Sequence, residues 1–439
     1  MPNKIILKKK ISRFNKKIFI PGDKSISIRW VLISSIASGV SKAKNLLMSE
    51  DVLASIRAIK KLGARVVFKK NICEINGVGM KGYKYRKKIV INSQNSGTLG
   101  RLISGILIDT PYPIKIIGDK SLSKRDFKRI ALPLRKFGAS FHLHNNCNLP
   151  LIVKGSQKLK PIRFFENRGS AQCKSSVIFG GIKVDGTTII KAKKSRNHTE
   201  LLFKHLGLPI KIKKIKNFDI IEINKVEKIK PINYIIPSDI SSGAFFIALA
   251  VLSEKSKLVI KNVNVNPTRI GVIKILKMMG AKIKFVNQRK YKGERISDIF
   301  VKSSTNLKGV NCPTSYNSSA IDEFLVIFLV AAKSKGISYF KNLSELNQKE
   351  SPRLIWASKI LKLLGIKNKT TKSSIKIYGN PNLNFNKKII IKNFLRDHRI
   401  FMMSVVAALT FGGKWKIYDC NSIKTSFPKF LEILKKIKA

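Results

Sequence analysis

AIKKLGARVVF, residues 58–68, places Gly63 between a helical pattern and an alternating apolar pattern. A glycine in that position is typical of a helix C-cap that leads into a strand. The arrangement returns at Gly138, Gly207, Gly280 and Gly365, at intervals of 69 to 85 residues, and FPKFLEILKKIKA (427–439) supplies a sixth helical pattern. The sequence therefore contains one repeated unit, and that unit predicts the fold.

A second helical pattern precedes each of these, and it opens on small or polar residues before it becomes strongly apolar. The six openings are PGDKSISIR (21–29), NSQNSGTLGR (92–101), ENRGSAQCKSS (166–176), PSDISSGAFF (237–246), TSYNSSAIDEF (314–324) and LRDHRIFMM (395–403). A short β-type segment such as YPIKIIG or TTIIKA lies between the two helices. The unit is thus a strand, a helix, a strand, a helix and a strand pair, and six units suit two domains of three.

A polar opening to a helix has two interpretations. Ser, Asp and Gly are ordinary helix caps. The unpaired N–H groups of the first turn and the helix dipole also attract anions. If the six N-termini converge, they form an electropositive centre that selects a multiply charged anion.

The composition is strongly basic. The 439 residues include 87 Lys and Arg against 24 Asp and Glu, which gives a net charge of +63. Such a balance suits a nucleic-acid or acidic membrane partner. The lysines are scattered between apolar positions along the whole chain, however, which favours a solvated surface and a compositional bias towards Ile, Lys and Asn. An acidic small-molecule substrate is a third explanation that contributes to the positive charge.

Cysteine and apolar patterns indicate the compartment. Five widely spaced cysteines without a CxxC pair argue against a disulfide framework and a zinc site, so we expect a reducing cytoplasm. His142 and His144 are two residues apart, as in a strand, so both would face the same side. A strand that leads into an Asn-rich turn is the favoured interpretation, and a metal pair is the lesser one. No apolar run approaches about 18 residues, and the basic N-terminus lacks the apolar segment of a secretory signal.

Eleven short motifs in order resemble the enolpyruvyl transferase family, and most closely its branch of 3-phosphoshikimate 1-carboxyvinyltransferases. They are PGDKSIS (21–27), NSGT (95–98) with Arg101, GDKSLSKR (118–125), SAQCKS (170–175), SRNHTE (195–200), PSDISS (237–242), NPTR (266–269), IDEF (321–324), KESPR (349–353), DHRI (397–400) and TSFP (425–428). The resemblance runs from about residue 20 to the end.

The resemblance implies an α/β fold (α+β in some classifications), a two-domain inside-out α/β barrel of six βαβαββ units. One domain would comprise residues 1–21 and 239–439, and the other residues 22–238, with hinges near Pro21 to Gly22 and near Pro237 to Asp239. Substrates would bind between domains that close on them. The implied protein is a monomer with no metal, no organic cofactor and no nucleic-acid or membrane partner.

The implied reaction transfers the enolpyruvyl group of phosphoenolpyruvate to the 5-hydroxyl of shikimate 3-phosphate and releases phosphate. It needs a base for the hydroxyl and an acid for the methylene carbon. The resemblance makes Asp322 the base and Glu350 the acid, with Lys24 as a third catalytic residue. Shikimate 3-phosphate would be bound by Lys24, Ser25, Arg29, Ser170, Gln172, Ser195, Asp322 and Lys349. Phosphoenolpyruvate would be bound by Lys24, Gly97, Arg125, Gln172, Arg353 and Arg399.

Local patterns add two expectations about these residues. Asp322 and Glu323 are adjacent on a predicted helix and point about 100° apart, so at most one faces the site. Ser351 as N-cap and Pro352 as first helical residue would start the next helix. Arg353 would then lie in its first turn, after a loop that carries the acid and its lysine neighbour.

The chain departs from the family pattern at a few positions. The family usually has His at Ile28, Met at Gly100, Pro at Asp126, Arg at Asn347 and Asp at Pro352. Thr425 stands where one branch has Lys, and Lys424 is its neighbour. We expect these changes to affect the affinity for phosphoenolpyruvate.

Two other functions remain open on sequence alone. A related transferase acts on UDP-N-acetylglucosamine, but it typically pairs its early Lys with Asn and carries a reactive Cys, whereas Ser25 follows Lys24 here. A basic nucleic-acid-binding protein would show interleaved aromatics. Aromatic residues are 8% of the chain and lie mainly in apolar runs.

Overall fold

The computed structural model describes residues 3–85 and 88–438, in which helices and strands alternate as the repeats predict. The strands are β1 (Lys4–Leu7), β2 (Asn15–Ile18), β3 (Ser38–Lys44), β4 (Arg65–Lys69), β5 (Ile72–Val78), β6 (Ile89–Asn92), β7 (Ile114–Ile117), β8 (Ser140–His144), β9 (Asn148–Lys154), β10 (Arg163–Glu166), β11 (Thr188–Lys193), β12 (Ile210–Lys214), β13 (Phe218–Ile223), β14 (Tyr234–Ile235), β15 (Lys257–Asn264), β16 (Lys282–Tyr291), β17 (Glu294–Lys302), β18 (Ile337–Phe340), β19 (Asn368–Thr370), β20 (Ile375–Tyr378), β21 (Lys388–Ile391) and β22 (Lys414–Tyr418). The α-helices are α1 (Lys24–Ser35), α2 (Glu50–Lys61), α3 (Gly97–Ile106), α4 (Lys128–Arg135), α5 (Ala171–Gly181), α6 (His198–His205), α7 (Ile240–Leu252), α8 (Gly271–Met278), α9 (Asn317–Ala320), α10 (Phe324–Ala332), α11 (Arg353–Leu363), α12 (His398–Phe411) and α13 (Phe430–Lys438). Short 3-10 helices cover Leu107–Asp109, Leu122–Lys124, Thr314–Tyr316, Ser344–Gln348 and Cys420–Thr425.

The chain divides into two compact units. Unit 1 comprises Met1–Pro21, Pro237–Lys290 and Arg295–Ala439, and unit 2 comprises Gly22–Ile236 and Tyr291–Glu294. The sequence-based division differs in two places, because it gave residues 237–238 to the second domain and residues 291–294 to the first. Residues 291–294 group with unit 2 because the Tyr291 ring packs on Tyr234 and its hydroxyl accepts a hydrogen bond from the Ile235 N–H.

Among its described residues, unit 2 contains three four-stranded sheets. Their strand orders are β14-β3-β5-β4, β6-β7-β9-β8 and β10-β11-β13-β12. Each begins with a parallel pair and continues antiparallel. The predicted unit is continuous in sequence from β6 to β9 and from β10 to β13, whereas β14 supplies the first strand of the remaining sheet.

Unit 1 contains the sheets β16-β17-β15-β2, β18-β20-β19 and β1-β22-β21. The N-terminal strands pair here, β1 with β22 and β2 with β15, as the resemblance implied. Among the described residues the six sheets stay separate, and none closes into a barrel. The α/β architecture of six related sheets matches the predicted fold class.

The five glycines that end helical patterns have φ values between +68° and +111°. An L side chain is strained in that region, so glycine stops the helix and turns the chain into the next strand. The prediction is confirmed at Gly63, Gly207, Gly280 and Gly365, each of which directly follows the C-cap residue of a helix, whereas Gly138 comes two residues after the C-cap Lys136 of α4. The helices that open on polar residues form the cores, since α7, α10 and α12 are buried almost throughout in unit 1 and α1, α3 and α5 in unit 2.

Among the described residues, none of the helices combines the length and the apolar composition of a membrane span. One bent pair, Thr314–Ala320 with Phe324–Ala332, passes the length and composition test together, with a 120° bend. Every residue of Phe324–Ala332 is buried in the core of unit 1.

Candidate active site

The N-terminal ends of α7, α10 and α12 lie together in unit 1. Ser241, in the first turn of α7, donates a hydrogen bond to Glu323 at the N-cap position of α10. Arg399, in the first turn of α12, donates to the backbone carbonyl of Asp322 at 2.5 Å. The positive ends of three helix dipoles therefore meet in one place, as the sequence predicts for three of the six openings.

Arg353 gathers the predicted acid and base around one guanidinium. It holds Asp397 through two bonds, Nε to Oδ2 at 2.9 Å and Nη2 to Oδ1 at 3.3 Å. It also contacts Glu350, and its Nη1 lies 3.5 Å from Asp322 Oδ1. Lys349 Nζ lies 3.4 Å from the same oxygen. Four predicted site residues are thus brought together, and Asp397, which the prediction left out, holds their centre.

Burial and ion pairing shift the pKa values of Arg353 and Asp397 in opposite directions. Burial lowers the pKa of Arg353, but Asp397, Glu350 and Asp322 raise it by more, so the net pKa lies above its ordinary value. Burial raises the pKa of Asp397, but Arg353 and His398 together lower it by more, so its net pKa lies below the usual range. Asp397 also accepts the Arg399 N–H at 2.9 Å and caps α12. Both side chains are therefore charged at neutral pH.

Asp397→Asn should lower the free energy of unfolding by roughly 3 kcal/mol, because it leaves a buried guanidinium less compensated while Asn keeps the helix cap. The wild-type pKa is depressed, so this stabilisation is complete above about pH 5 and is lost as the pH falls below about 4. Urea unfolding from pH 3 to 8 measures it. Asp419→Asn, at a partly exposed residue, is the matched control, and a loss below about 1 kcal/mol at pH 7 would contradict the ion pair's role.

The start of α11 differs from the prediction by one residue. Pro352 occupies the N-cap position and Arg353 is the first helical residue. The Ser351 hydroxyl does not cap the helix, because it donates to Asp397 Oδ2 at 2.9 Å. Asn347 stands where the family usually has arginine. Its Oδ1 accepts a hydrogen bond from the Leu354 N–H at 3.1 Å, so it pairs a backbone donor in the first turn of α11.

Asp322 and Glu323 lie on the turn between α9 and α10, so their placement on a helix was wrong. The two side chains still diverge, as predicted. Asp322 points to Lys349 and Arg353, and Glu323 points to Ser241.

The N-termini of α1, α3 and α5 are tied together in unit 2. Gln172 Nε2 in α5 donates to Thr98 Oγ1 in α3 at 2.9 Å. Arg29 Nη2 in α1 donates to Ser175 Oγ in α5 at 3.0 Å. The three N-cap residues are Asp23, Ser96 and Ser170. This group is the counterpart of the one in unit 1.

Arg29 is pinned by protein groups. Besides Ser175, it donates to Thr199 Oγ1 at 2.7 Å and to the Ser25 carbonyl at 3.0 Å. Burial lowers the pKa of Arg29 to about 10, although Glu200 and Asp23 raise it, so the cation persists at neutral pH. Ser195 lies four residues before Thr199 and is buried. Its hydroxyl has no hydrogen-bond partner among the described residues, so it is available to a ligand.

Lys24 begins α1, and its Nζ lies 3.0 Å from Asp51 Oδ2. Asp51 is buried in the first turn of α2. Sequence reasoning missed it, because an acidic residue there is an ordinary helix-start signal.

Gln172 and Arg125 are held from several sides. Arg101 donates to Gln172 Oε1 and lies 5.0 Å above the Phe127 ring. Arg125 Nη2 donates to Asn95 Oδ1 at 3.0 Å. A Cβ at Gly97 would lie 3.2 Å from Arg101 Nη1 and 3.6 Å from Arg125 Nη1, so both guanidiniums approach its backbone.

The departures from the family pattern have structural explanations. Asp126 pairs with Arg129 at 3.3 Å and Arg168 at 3.1 Å, so its charge is compensated away from Arg125. Burial raises the pKa of Asp126, but its interactions with Arg129, Cys147 and Arg168 together lower it by more, and it stays ionised. Ile28 is fully buried in the core, and a Cβ at Gly100 would meet Phe127 at 3.2 Å.

Within residues 3–85 and 88–438, no group of three or more His, Cys, Asp and Glu side chains could hold a metal ion.

Thr425 Oγ1 lies 3.2 Å from His398 Nδ1, beside Arg399 at the start of α12. His398 was part of a quoted motif but was not among the predicted site residues.

Known proteins resemble the chain along nearly its whole length. Residues 8–434 match the family model of EPSP synthase (3-phosphoshikimate 1-carboxyvinyltransferase). The 3-phosphoshikimate 1-carboxyvinyltransferase of Ruthia magnifica is 39% identical over 95% of this chain and 94% of that protein. That of Caldicellulosiruptor bescii is 38% identical over 96% of each. A solved EPSP synthase from Acinetobacter baumannii is 35% identical, with a TM-score of 0.86 over 99% of this chain and 98% of that one. An enolpyruvyl transferase from Streptomyces tendae, 14% identical with a TM-score of 0.76 over 100% of this chain and 98% of that one, shares the fold.

Proposed function

The chain belongs to the EPSP synthase family, and from that premise we propose how its residues divide the reaction among them. The enzyme transfers the enolpyruvyl group of phosphoenolpyruvate to shikimate 3-phosphate, in the shikimate pathway of aromatic amino-acid biosynthesis. The family match over residues 8–434 decides between the two transferase branches that the sequence motifs left open. The roles of individual residues are our proposal.

The observation that carries the proposal is the Arg353 cluster in unit 1. Glu350 protonates the methylene carbon of phosphoenolpyruvate, which makes C2 electrophilic, and Asp322 takes the proton of the 5-hydroxyl as its oxygen attacks C2. Glu350, now a carboxylate, then takes a proton from the methyl group of the tetrahedral adduct as the C2–O bond to phosphate breaks, which restores the acid and releases phosphate. Arg353 and Arg399 hold the anionic groups of phosphoenolpyruvate. Arg399 can grip a carboxylate or phosphate with two parallel bonds, whereas Asp397 already takes Nε and Nη2 of Arg353, so that residue contributes through Nη1 and its charge.

Unit 2 supplies the remaining ligands. Ser25, Arg29, Ser170 and Ser195 bind shikimate 3-phosphate, with Gln172 beside its ring. Lys24, Gly97 and Arg125 bind phosphoenolpyruvate, and Lys24 touches both substrates. The three N-termini of α1, α3 and α5 support this assignment, because their N–H groups and dipoles favour phosphate. Pre-organised donors of this kind supply much of the rate in charged reactions.

We also propose that the enzyme is a cytoplasmic monomer that needs no cofactor, nucleic acid or membrane. None of its five cysteines forms a disulfide in the part of the chain that the structure describes, which supports a reducing compartment. The reaction has only small-molecule substrates.

Phosphate release tests the proposed function directly. We expect release only when the protein, shikimate 3-phosphate and phosphoenolpyruvate are mixed, with the enolpyruvyl ether as co-product. Replacing the acceptor by UDP-N-acetylglucosamine should give no release. Absence of release with both proposed substrates, together with tight and salt-sensitive RNA binding, would overturn the proposal.

A further inference from the structure

Three features of the quoted sequence motifs have no role in the proposed reaction, and the structure joins them. They are the motif PSDISS, the motif NPTR and Glu323 of IDEF. Arg269 Nη2 lies 3.1 Å from Asp239 Oδ1 and 2.7 Å from Ser241 Oγ. Ser241 Oγ in turn donates to Glu323. All four residues are buried, with at most 5% of any of them exposed.

This network ends on residues of the proposed reaction. Arg399 Nη1 lies 3.9 Å from Glu323 Oε1 and donates to the Asp322 carbonyl at 2.5 Å. Glu323 follows the proposed base directly in sequence, at the N-cap position of α10. A shift of its side chain therefore changes both the turn that carries Asp322 and the carboxylate that faces Arg399.

We infer that Glu323 is a positioning residue, which Ser241 and Arg269 fix so that it orients Arg399 and the turn carrying Asp322. The inference rests on the proposed function. The Glu323 side chain is fully buried, and a buried carboxylate is stable only among fixed cations and donors. Glu323 thus links the orientation of the Arg399 guanidinium to the buried network of Ser241 and Arg269 in unit 1.

Orientation matters because a guanidinium binds a carboxylate or phosphate well only in one plane. A misplaced reacting group or clamp also slows the chemical step, since catalysis depends on near-attack geometry. Loss of Glu323 should therefore weaken phosphoenolpyruvate binding and turnover selectively. A merely structural role would instead lower stability and affect both substrates alike.

Glu323→Gln is the first test, because Gln keeps the shape and an acceptor for Ser241 but removes the charge that faces Arg399. We expect KM for phosphoenolpyruvate to rise about tenfold and kcat to fall about tenfold, with KM for shikimate 3-phosphate within about twofold of wild type. Glu254→Gln, at an exposed glutamate of the same unit, should leave all three parameters unchanged. Phosphate release measures them, and thermal unfolding checks the fold.

Ser241→Ala is the second test, and it decides the matter if Glu323→Gln does not fold. It keeps the charge but removes the donor that fixes it, so KM for phosphoenolpyruvate should rise roughly threefold or more. Unchanged KM and kcat in either folded variant, or equal rises in both KM values, would overturn the inference while the wild type still releases phosphate. An inactive wild type would instead overturn the proposed function, and this inference with it.

Discussion

Glu350→Gln should lower kcat by roughly 10²–10⁴-fold, the contribution expected of a positioned general acid. The amide keeps the size of the side chain and a possible contact with Arg353, but it cannot supply the proton that the methylene carbon needs. Phosphoenolpyruvate binding, measured by calorimetry, should therefore survive. In D₂O the variant should also incorporate little deuterium into the methylene group.

The charge count around Arg353 supports the acid role of Glu350. Arg353 and Lys349 carry two positive charges, whereas Asp322, Glu350 and Asp397 bring three carboxylates to the cluster. Asp397 occupies the guanidinium through two bonds, so one carboxylate is in excess. Substrate anions that arrive beside this cluster bring further negative charge, and like charges favour the protonated form of a carboxyl.

Glu345→Gln is the matched control, because Glu345 is an exposed glutamate in the 3-10 helix just before Lys349. It should leave kcat within about twofold of wild type. If Glu350→Gln retained a kcat within about threefold of wild type, the assignment of the acid would be wrong. If it lost phosphoenolpyruvate binding in proportion to its activity, Glu350 would be a ligand and not the acid.

Local signals in the sequence were enough for the elements and their order. Gly63 and its four counterparts have positive φ, because a helix stop is a property of a single backbone position. Polar residues at the helix openings include the caps Asp23, Asp239 and Asp397, whose hydrogen bonds reach only two or three residues along the chain. Interactions between residues so close in the sequence can be predicted without knowing the tertiary fold.

Contacts between distant segments could not be obtained in that way. Asp397 is an ordinary helix cap in sequence, yet it holds Arg353, 44 residues away. Arg29 bonds Thr199 across 170 residues. Strand β14 joins β3 although nearly the whole of unit 2 separates them in the chain. Each of these pairings depends on how helices and sheets pack, so the motifs identified the reacting residues but not those that hold them.

Asp322→Asn should lower kcat by roughly 10²–10⁴-fold, because an amide cannot accept the proton of the attacking hydroxyl. Asp322 lies 3.4 Å from Lys349 and 3.5 Å from Arg353. Removing its charge leaves these cations less compensated, so KM for phosphoenolpyruvate should stay constant or fall. Initial rates of phosphate release at varied phosphoenolpyruvate concentrations measure both kcat and KM.

The combination of a falling kcat with an unchanged or lower KM separates a base from a binding group. Asp419→Asn is the control for the same chemical change, at a partly exposed aspartate whose φ of +55° an asparagine also tolerates. The double variant Asp322→Asn with Glu350→Gln should be little slower than the slower single variant, because residues that act as a unit are not additive. Multiplicative losses would mean that the two carboxyl groups serve independent steps, and wild-type turnover in Asp322→Asn would remove it from the mechanism altogether.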